Sequence, residues 1–210
     1  MAREQFPPTS PVIGLLPGSR RGIAEHNFPH LLEVARRIRE AFAGTKFLVP
    51  TTGVTHEVVT RMAAGFEGLS IDRDGFDRVV PGCDFCVTVS GTAALHIAAY
   101  GVPFVVVYRV NPLHWHLVGR WIVKARTYSL VNILSTRSEH IVPEFIPWYG
   151  NNQAVAEKVI DFLRHPEKMA EQRKHLAEVI RPLDRRGAST NVAKMAMEMI
   201  AGAPMVETHF

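Results

Sequence analysis

The chain has 210 residues, of which 47% are hydrophobic, and a formal net charge of +4 at pH 7. Chains of this size and composition bury one good core, which excludes a disordered protein. The sequence has no apolar run of the ~18 residues that a membrane span needs, no opening signal peptide, and only two cysteines. It therefore predicts a cytoplasmic protein without a disulfide framework, whose positive charge favours anionic partners in general.

Apolar runs alternate with helical periodicity along the chain, which is the pattern of a parallel β-sheet covered by helices on both faces. We expect a flexible lead-in over 1–11, a Rossmann-like α/β domain over 12–150, and helices over 151–210 that pack on this domain or on a partner. Strands are predicted at 12–16, 46–50, 69–71, 85–89, 103–109 and 128–130. Helices are predicted at 28–42, 56–64, 76–80, 93–100, 112–124, 153–164, 167–180 and 190–200, the last behind a Ser189 or Thr190 cap.

Two loops of small residues each lie between a predicted strand and a predicted helix, at 17–20 and at 90–92. A helix start leaves backbone N–H groups unpaired and carries partial positive charge, so it suits a phosphate. Parallel strands bring such loops together at one edge of the sheet. A tight turn at the first loop and an ordinary N-cap at the second are the simpler alternatives. The predicted phosphate-binding residues are Gly18, Ser19, Arg20, Ser90, Gly91 and Thr92.

Five motifs resemble, in order and spacing, those of the lipid-A-disaccharide synthase family. They are LLPGSR at 15–20, SGTAAL at 90–95, YRVNP at 108–112, SLVNIL at 129–134 and VPE at 142–144. The resemblance runs from about residue 12 to residue 200 and implies one half of a GT-B glycosyltransferase. The implied half is the carboxyl-terminal one, which holds the UDP-sugar donor. The catalytic residues and the acceptor site are then expected in an amino-terminal half outside this sequence.

The resemblance also assigns donor-site residues beyond the two loops. Asn132 and Glu144 match residues that lie near the donor in the family. His96 stands where the family usually has a glutamate that accepts hydrogen bonds from the ribose, and a neutral imidazole offers only one acceptor. Val131 and Pro147 also depart from the family pattern, so we expect a weakened UDP site.

The activity that the resemblance implies is transfer of 2,3-diacylglucosamine from UDP to 2,3-diacylglucosamine 1-phosphate in lipid A biosynthesis. The UDP-sugar is a substrate, and neither a cofactor nor a metal is expected. Turnover would need an amino-terminal acceptor domain or completion of the cleft in a homo-oligomer. Two alternatives stay open. One is a non-catalytic nucleotide-sugar-binding module from a split or decayed gene, and the other is a different GT-B-type enzyme such as a UDP-sugar epimerase relative.

The predicted helix at 112–124 carries a basic stripe of His116, Arg120 and Lys124 beside two tryptophans. A helix of this kind lies in a membrane interface with its apolar side down, here the inner face of the cytoplasmic membrane, or it packs against a partner. Both interpretations stay open for 112–126.

The sequence does not support a redox site at its cysteines or a metal site at its histidines. Cys83 and Cys86 have redox-motif spacing, but Cys86 enters an apolar strand instead of opening a helix. The histidines form no ligand constellation, so we predict no metal site. We also predict no nucleic-acid partner.

Overall fold

The computed structural model describes residues 10–89, 91–109, 127–183 and 188–200. This part of the chain forms a six-stranded sheet in the order β3-β2-β1-β4-β5-β6, and every neighbouring pair is parallel. The strands are β1 (Val12–Leu16), β2 (Lys46–Thr51), β3 (Leu69–Arg73), β4 (Phe85–Val89), β5 (Phe104–Arg109) and β6 (Glu144–Trp148).

Helices connect the strands and cover both faces of the sheet. Those in the described residues are α1 (Arg21–Ala41), α2 (His56–Met62), α3 (Phe76–Val79), α4 (Ala93–Ala99), α5 (Leu130–Leu134), α6 (Asn152–Arg164), α7 (Pro166–Ile180) and α8 (Ala188–Ile200), with a 3₁₀ turn at Val80–Gly82. The predicted fold class, a Rossmann-like parallel sheet with helices on both faces, is confirmed.

The core has two layers, because alternate residues of a strand point to opposite faces of the sheet. Ile13, Phe85 and Val87 belong to the layer that contains side chains of α1, α2 and α6. Cys86 and Val106 belong to the other layer, which contains side chains of α4, α5 and α7. Central strands buried on both faces read as continuous apolar runs, which is why the sequence reveals them.

Two of the predicted strands, at 12–16 and 85–89, match β1 and β4 residue for residue. The first predicted helix is different, since α1 begins at Arg21 and contains Pro29. An interior proline removes one helical hydrogen bond and costs about 3 kcal/mol. Ala24 and Phe28 are fully buried on this helix, and their burial helps to offset that loss.

The prediction was wrong near the edge of the sheet. The expected strand at 128–130 is absent, because a carboxylate accepts the backbone N–H groups of Tyr128 and Ser129 and a short helix follows. Strand β6 was missed, since Pro147 lies inside it and proline is depleted in strands. Proline is tolerated in β6 because this strand lies at the edge of the sheet.

Two further predictions concern the ends of helices and segments. Residues 189 and 190 do not precede the last helix, because α8 already begins at Ala188. The helix predicted at 112–124 and most of the lead-in, 1–9, lie outside the described residues.

The carboxyl-terminal helices reach both faces of the sheet. Helix α6 contributes Val159 and Leu163 to the first layer, and α7 contributes Leu176 to the second. The buried Gln172 of α7 binds the start of β5. Its Oε1 accepts from Phe104 N at 2.8 Å, and its Nε2 donates to the carbonyl oxygens of Phe104 at 3.1 Å and of Ile141 at 2.9 Å.

Candidate functional site

A cleft of about 400 Å³ opens at the carboxyl ends of the strands. The chain order reverses between β1 and β4, and ligands of open parallel sheets bind at such a switch point. The cleft is lined by the ends of β1, β2, β4 and β5, by the loops after β1, β2 and β4, and by residues of α1, α3 and α4. Its described lining residues are Leu16, Gly18, Ser19, Arg20, Ile23, Pro50, Thr51, Thr52, Phe76, Thr88, Val89, Gly91, Thr92, Ala93, His96 and Tyr108.

The loop between β1 and α1 requires glycine at one position. Gly18 has φ +103°, in the region that side chains of L residues rarely adopt. A Cβ there would also lie 2.8 Å from Ile23 Cγ2, at the start of α1. The turn therefore packs its backbone directly against the helix, and it leaves Ser19 and Arg20 exposed at the cleft.

The amino terminus of α1 is open to an anion. Its N-cap residue is Arg20, whose side chain makes no capping hydrogen bond, and its first turn has no acidic residue. The bond from Ala24 N to Arg20 O, 3.0 Å long, begins the helical ladder, so the N–H groups of the three preceding residues have no place in it. A helix of 21 residues has a strong positive end.

The positive charge of Arg20 adds to this end. Other described arginines, among them Arg21, Arg78 and Arg137, form ion pairs with carboxylates. No described carboxylate forms such a pair with Arg20, and none lines the cleft. The cleft is therefore suited to an anionic ligand.

The loop between β4 and α4 forms the opposite wall. Gly91 and Thr92 line the cleft, whereas Ser90 lies outside the described residues. The N–H groups of Ala94 and Leu95 already donate to Gly91 O at 3.3 Å and Thr92 O at 3.1 Å. The Thr92 side chain makes no capping bond, so the hydroxyl is the group that this wall offers most directly.

His96 lies one turn further along α4, exposed and on the cleft wall. Its ring meets the ring of Phe76 edge to face, with centroids 5.8 Å apart. Five of the six predicted phosphate residues and His96 thus share one cleft. Their roles in binding stay predictions.

Several residues that line the cleft were not predicted from the sequence. Thr51 and Thr52 end β2 and begin the next loop, Thr88 lies near the end of β4, and Tyr108 lies near the end of β5. Their common signal is position, because parallel strands present their carboxyl ends at the same edge. Phe76 had no such signal, since it starts a single helical turn.

Asn132 and Glu144 do not line this cleft. Asn132 Nδ2 donates to Glu144 Oε1 at 2.6 Å and to Val142 O at 2.7 Å, while Asn132 Oδ1 accepts from Val142 N at 2.9 Å. The register aligns Glu144 with Val106 and Val106 with Thr88, so Glu144 lies two strands from β4, or about 10 Å. The family resemblance predicts that both residues lie near the donor, and the structure shows that they bond to each other and to neighbouring residues.

The carboxylate of Glu144 is well satisfied by donors. It also accepts from Thr127 Oγ1 at 2.6 Å, Tyr128 N at 2.9 Å and Ser129 N at 3.0 Å. Burial by itself raises the pKa of Glu144, but the hydrogen bonds from these groups and from Asn132 outweigh it and lower the pKa below its ordinary value. The network ties the chain before α5 to the start of β6.

The cysteine pair and the histidines offer no second site among the residues described. Cys83 and Cys86 are free and buried, and burial, with the neighbouring Cys83 thiol, raises the pKa of Cys86. A buried thiol with a raised pKa is a poor nucleophile. The described segments contain no group of three or more potential metal ligands. They also contain no helix that is long and apolar enough to cross a bilayer.

Solved structures that share this fold include proteins crystallised with UDP. The pneumococcal O-GlcNAc transferase GtfA, solved with UDP and GlcNAc, superposes with a TM-score of 0.59 and 12% identity over 93% of this chain and 36% of that chain. MnaA of S. aureus, solved with UDP, gives a TM-score of 0.56 and 13% identity over 96% of this chain and 49% of that chain. The sheet and its switch-point cleft therefore define a Rossmann-like half of a GT-B fold.

The sequence identifies the family. The lipid-A-disaccharide synthetase family model matches residues 1–200, and this chain belongs to that family. The lipid-A-disaccharide synthase of Geobacter metallireducens is 33% identical over 195 residues, covering 92% of this chain and 50% of that protein. The synthase of Geobacter sulfurreducens is 33% identical over 191 residues, covering 90% and 49%. The chain thus spans about half the length of these curated relatives.

Proposed function

We propose that this chain is the UDP-sugar-binding half of a lipid-A-disaccharide-synthase-like glycosyltransferase. One observation carries the proposal: the open amino terminus of α1, the Gly18 turn and the guanidinium of Arg20 meet in a switch-point cleft that has no described carboxylate. A diphosphate is the ligand chemistry that this combination fits, since backbone N–H groups and a planar cation both bind phosphate oxygens.

The remaining lining suggests how a nucleoside diphosphate would lie. Its phosphates would contact 18–20 and the Thr92 hydroxyl on opposite walls. The ring pair of Phe76 and His96 then flanks the nucleoside, with His96 available to a ribose hydroxyl. In a transfer reaction, Arg20 and the α1 terminus would stabilise charge that develops on the departing diphosphate.

Family membership and the fold neighbours support this choice of ligand. The two neighbours described above were solved with UDP, and one of them also with GlcNAc. The family points to transfer of an acylated glucosamine from UDP to an acylated glucosamine 1-phosphate. In our proposal an acceptor half supplies the catalytic residues and binds the acceptor next to this cleft, since the chain covers 50% of the Geobacter metallireducens synthase.

The test is titration calorimetry with UDP. Arg20→Ala removes one charge-assisted contact worth roughly 1.5–3 kcal/mol, so the Kd should rise about ten- to a hundredfold. Arg61→Ala is the matched control, because Arg61 is exposed at the end of α2 and does not line the cleft. No binding of UDP by the unaltered chain at millimolar concentration would refute the proposal.

We propose, in addition, that 112–126 contacts the inner face of the cytoplasmic membrane, where acylated substrates reside. The support is the sequence pattern of tryptophans beside a basic stripe. Flotation with anionic vesicles tests this idea. Trp115→Ser combined with Trp121→Ser should abolish flotation, and equal flotation of the double variant would contradict it.

A further inference from the structure

The loop after β2 is bonded directly to the loop after β1. Thr52 follows the last residue of β2, and its Oγ1 donates to the carbonyl oxygen of Ser19 at 3.3 Å. The two residues are 33 positions apart in sequence, and both line the cleft. Neither motif analysis nor family resemblance assigns a role to Thr52.

The Thr52 hydroxyl is itself held by Thr55, which is fully buried. Thr52 N donates to Thr55 Oγ1 at 3.0 Å, and the two hydroxyl oxygens are 3.1 Å apart. Each hydroxyl has a single proton to donate. Thr55 Oγ1 also lies 3.4 Å from Thr52 O, a longer contact than the 3.1 Å between the two hydroxyls. When the Thr55 proton goes to Thr52 Oγ1, the Thr52 proton is directed to the Ser19 carbonyl, and Thr55 Oγ1 still accepts from Thr52 N.

The backbone on both sides of Thr52 is also anchored. Thr51 O accepts from Asp74 N at 2.7 Å, and Gly53 N donates to Asp74 Oδ1 at 3.1 Å. Asp74 has φ +53°, a conformation that aspartate tolerates better than most side chains. The two bonds to Asp74 therefore fix the backbone of the loop that carries the Thr52 hydroxyl.

The bond to Ser19 has a consequence for the next amide group. A peptide unit is planar and trans, so its C=O and N–H point in opposite directions. Holding the Ser19 carbonyl toward Thr52 fixes the Arg20 N–H away from Thr52. This N–H belongs to the N-cap residue of α1, at the positive end of the helix.

We infer that Thr52 is a positioning residue for the diphosphate loop, acting through the Ser19 carbonyl to orient the Arg20 amide toward bound phosphate. The inference rests on the proposed function. According to this inference, the loop after β2 orients the anion site at the start of α1, which would be less rigid without the Thr52 hydrogen bond.

The experiment compares Thr52→Val, which keeps the shape but removes the hydroxyl, with Thr52→Ser, which restores it. Thr60→Val is the control, since Thr60 is exposed on α2 and does not line the cleft. The probes are UDP, inorganic pyrophosphate and uridine. Thr52→Val should weaken UDP and pyrophosphate about three- to tenfold and leave uridine unchanged, whereas Thr52→Ser and Thr60→Val stay within about twofold of the parent.

A second readout does not need a ligand. Loss of an accepted hydrogen bond moves the carbonyl ¹³C resonance of Ser19, so Thr52→Val should shift it in the free protein while Thr60→Val should not. A thermal melt verifies that each variant is folded.

Three results would overturn the inference: unchanged UDP affinity in Thr52→Val, an equal loss for uridine, or an unmoved Ser19 carbonyl resonance. Failure of the proposed function has a different signature, because the parent chain would then not bind UDP at all. In that case pyrophosphate binding and the Ser19 resonance still decide whether Thr52 organises the loop.

Discussion

Asn132 and Glu144 are joined side chain to side chain, with Asn132 Nδ2 2.6 Å from Glu144 Oε1. Both residues match family motifs, yet neither lines the cleft that the phosphate loops form. Glu144 takes donors from Thr127, Tyr128 and Ser129 as well. The pair therefore fastens the segment before α5 to the edge of the sheet, and this role leads to a stability prediction.

Glu144→Gln should lower the free energy of unfolding by about 1–3 kcal/mol at pH 7, because an amide NH₂ would face groups that are themselves donors. Urea denaturation measures the change. Glu139→Gln is the control, since Glu139 is exposed. UDP affinity should stay within about twofold of the parent value. A large loss of UDP affinity in a stably folded Glu144→Gln variant would instead make Glu144 a donor contact.

The same carboxylate predicts a pH dependence. Burial raises the pKa of Glu144, but its hydrogen bonds lower the pKa by more. The pKa in the folded protein therefore lies below the ordinary value of 4.5. Its stabilising contribution is therefore complete above that ordinary value and is lost as the pH falls through the lower, folded-state pKa. The stability difference between parent and Glu144→Gln should shrink on acidification below 4.5, measured by urea denaturation at a series of pH values. A difference that stays constant down to pH ~2 would contradict this prediction.

Gly18 and Gly22 form a matched pair for testing the turn before α1. Gly18→Ala places a Cβ 2.8 Å from Ile23 Cγ2 at φ +103°, so it should lower stability by about 1–3 kcal/mol and weaken UDP binding. Gly22 is helical and a Cβ there meets nothing within 4 Å, so Gly22→Ala should raise stability by about 0.5–1 kcal/mol. Thermal unfolding and calorimetry measure both. The prediction fails if the two substitutions have the same effect.

His96→Glu should tighten UDP binding about three- to tenfold, because a carboxylate offers two acceptors to the ribose hydroxyls where a neutral imidazole offers one. His96→Gln is the control, because glutamine has the shape of glutamate but, like a neutral imidazole, offers one acceptor atom. Its UDP affinity should therefore stay near that of the parent. Calorimetry at one fixed pH compares the three proteins. Equal or weaker binding by His96→Glu would place the ribose elsewhere in the cleft.

The chain alone should not form the disaccharide. Positioning of an acceptor hydroxyl contributes roughly 7–11 kcal/mol to such a reaction, and in our proposal the acceptor is held by the other half of the enzyme. The assay mixes the acylated UDP-sugar and the acylated sugar phosphate with the chain, with and without an amino-terminal domain of the family. Product formed by the chain alone would show that the catalytic groups lie within these 210 residues.

The sequence predicts the fold because the strands of its sheet centre are buried on both faces and therefore appear as apolar runs, as in β1 and β4. The prediction misses β6, because β6 contains Pro147 and proline is generally depleted in strands. Proline is tolerated in this strand because the strand lies at the open edge of the sheet. That edge is a property of the assembled sheet, and no local pattern encodes it.

The cleft was predictable where its lining depends on the local backbone, as at Gly18 and Arg20. Thr52 was not, because its contact with Ser19 joins loops from two adjacent strands. For Asn132 and Glu144 the structure adds what the motif match does not contain, namely the hydrogen bond between them. A match gives the residue type, but the atoms that satisfy a carboxylate depend on how the chain returns from α5 to β6.

The three hydrogen bonds of Gln172 have a consequence for how the molecule comes apart. They connect α7 to the first residue of β5 and to the loop before β6, on the second core layer, while α6 packs on the first. Losing α7 would remove the Gln172 partners of the Phe104 N–H and C=O together with the apolar contacts of Leu176. Helix α7 thus holds the start of β5 and the loop before β6 together, so its local unfolding should loosen this side of the sheet as one cooperative unit.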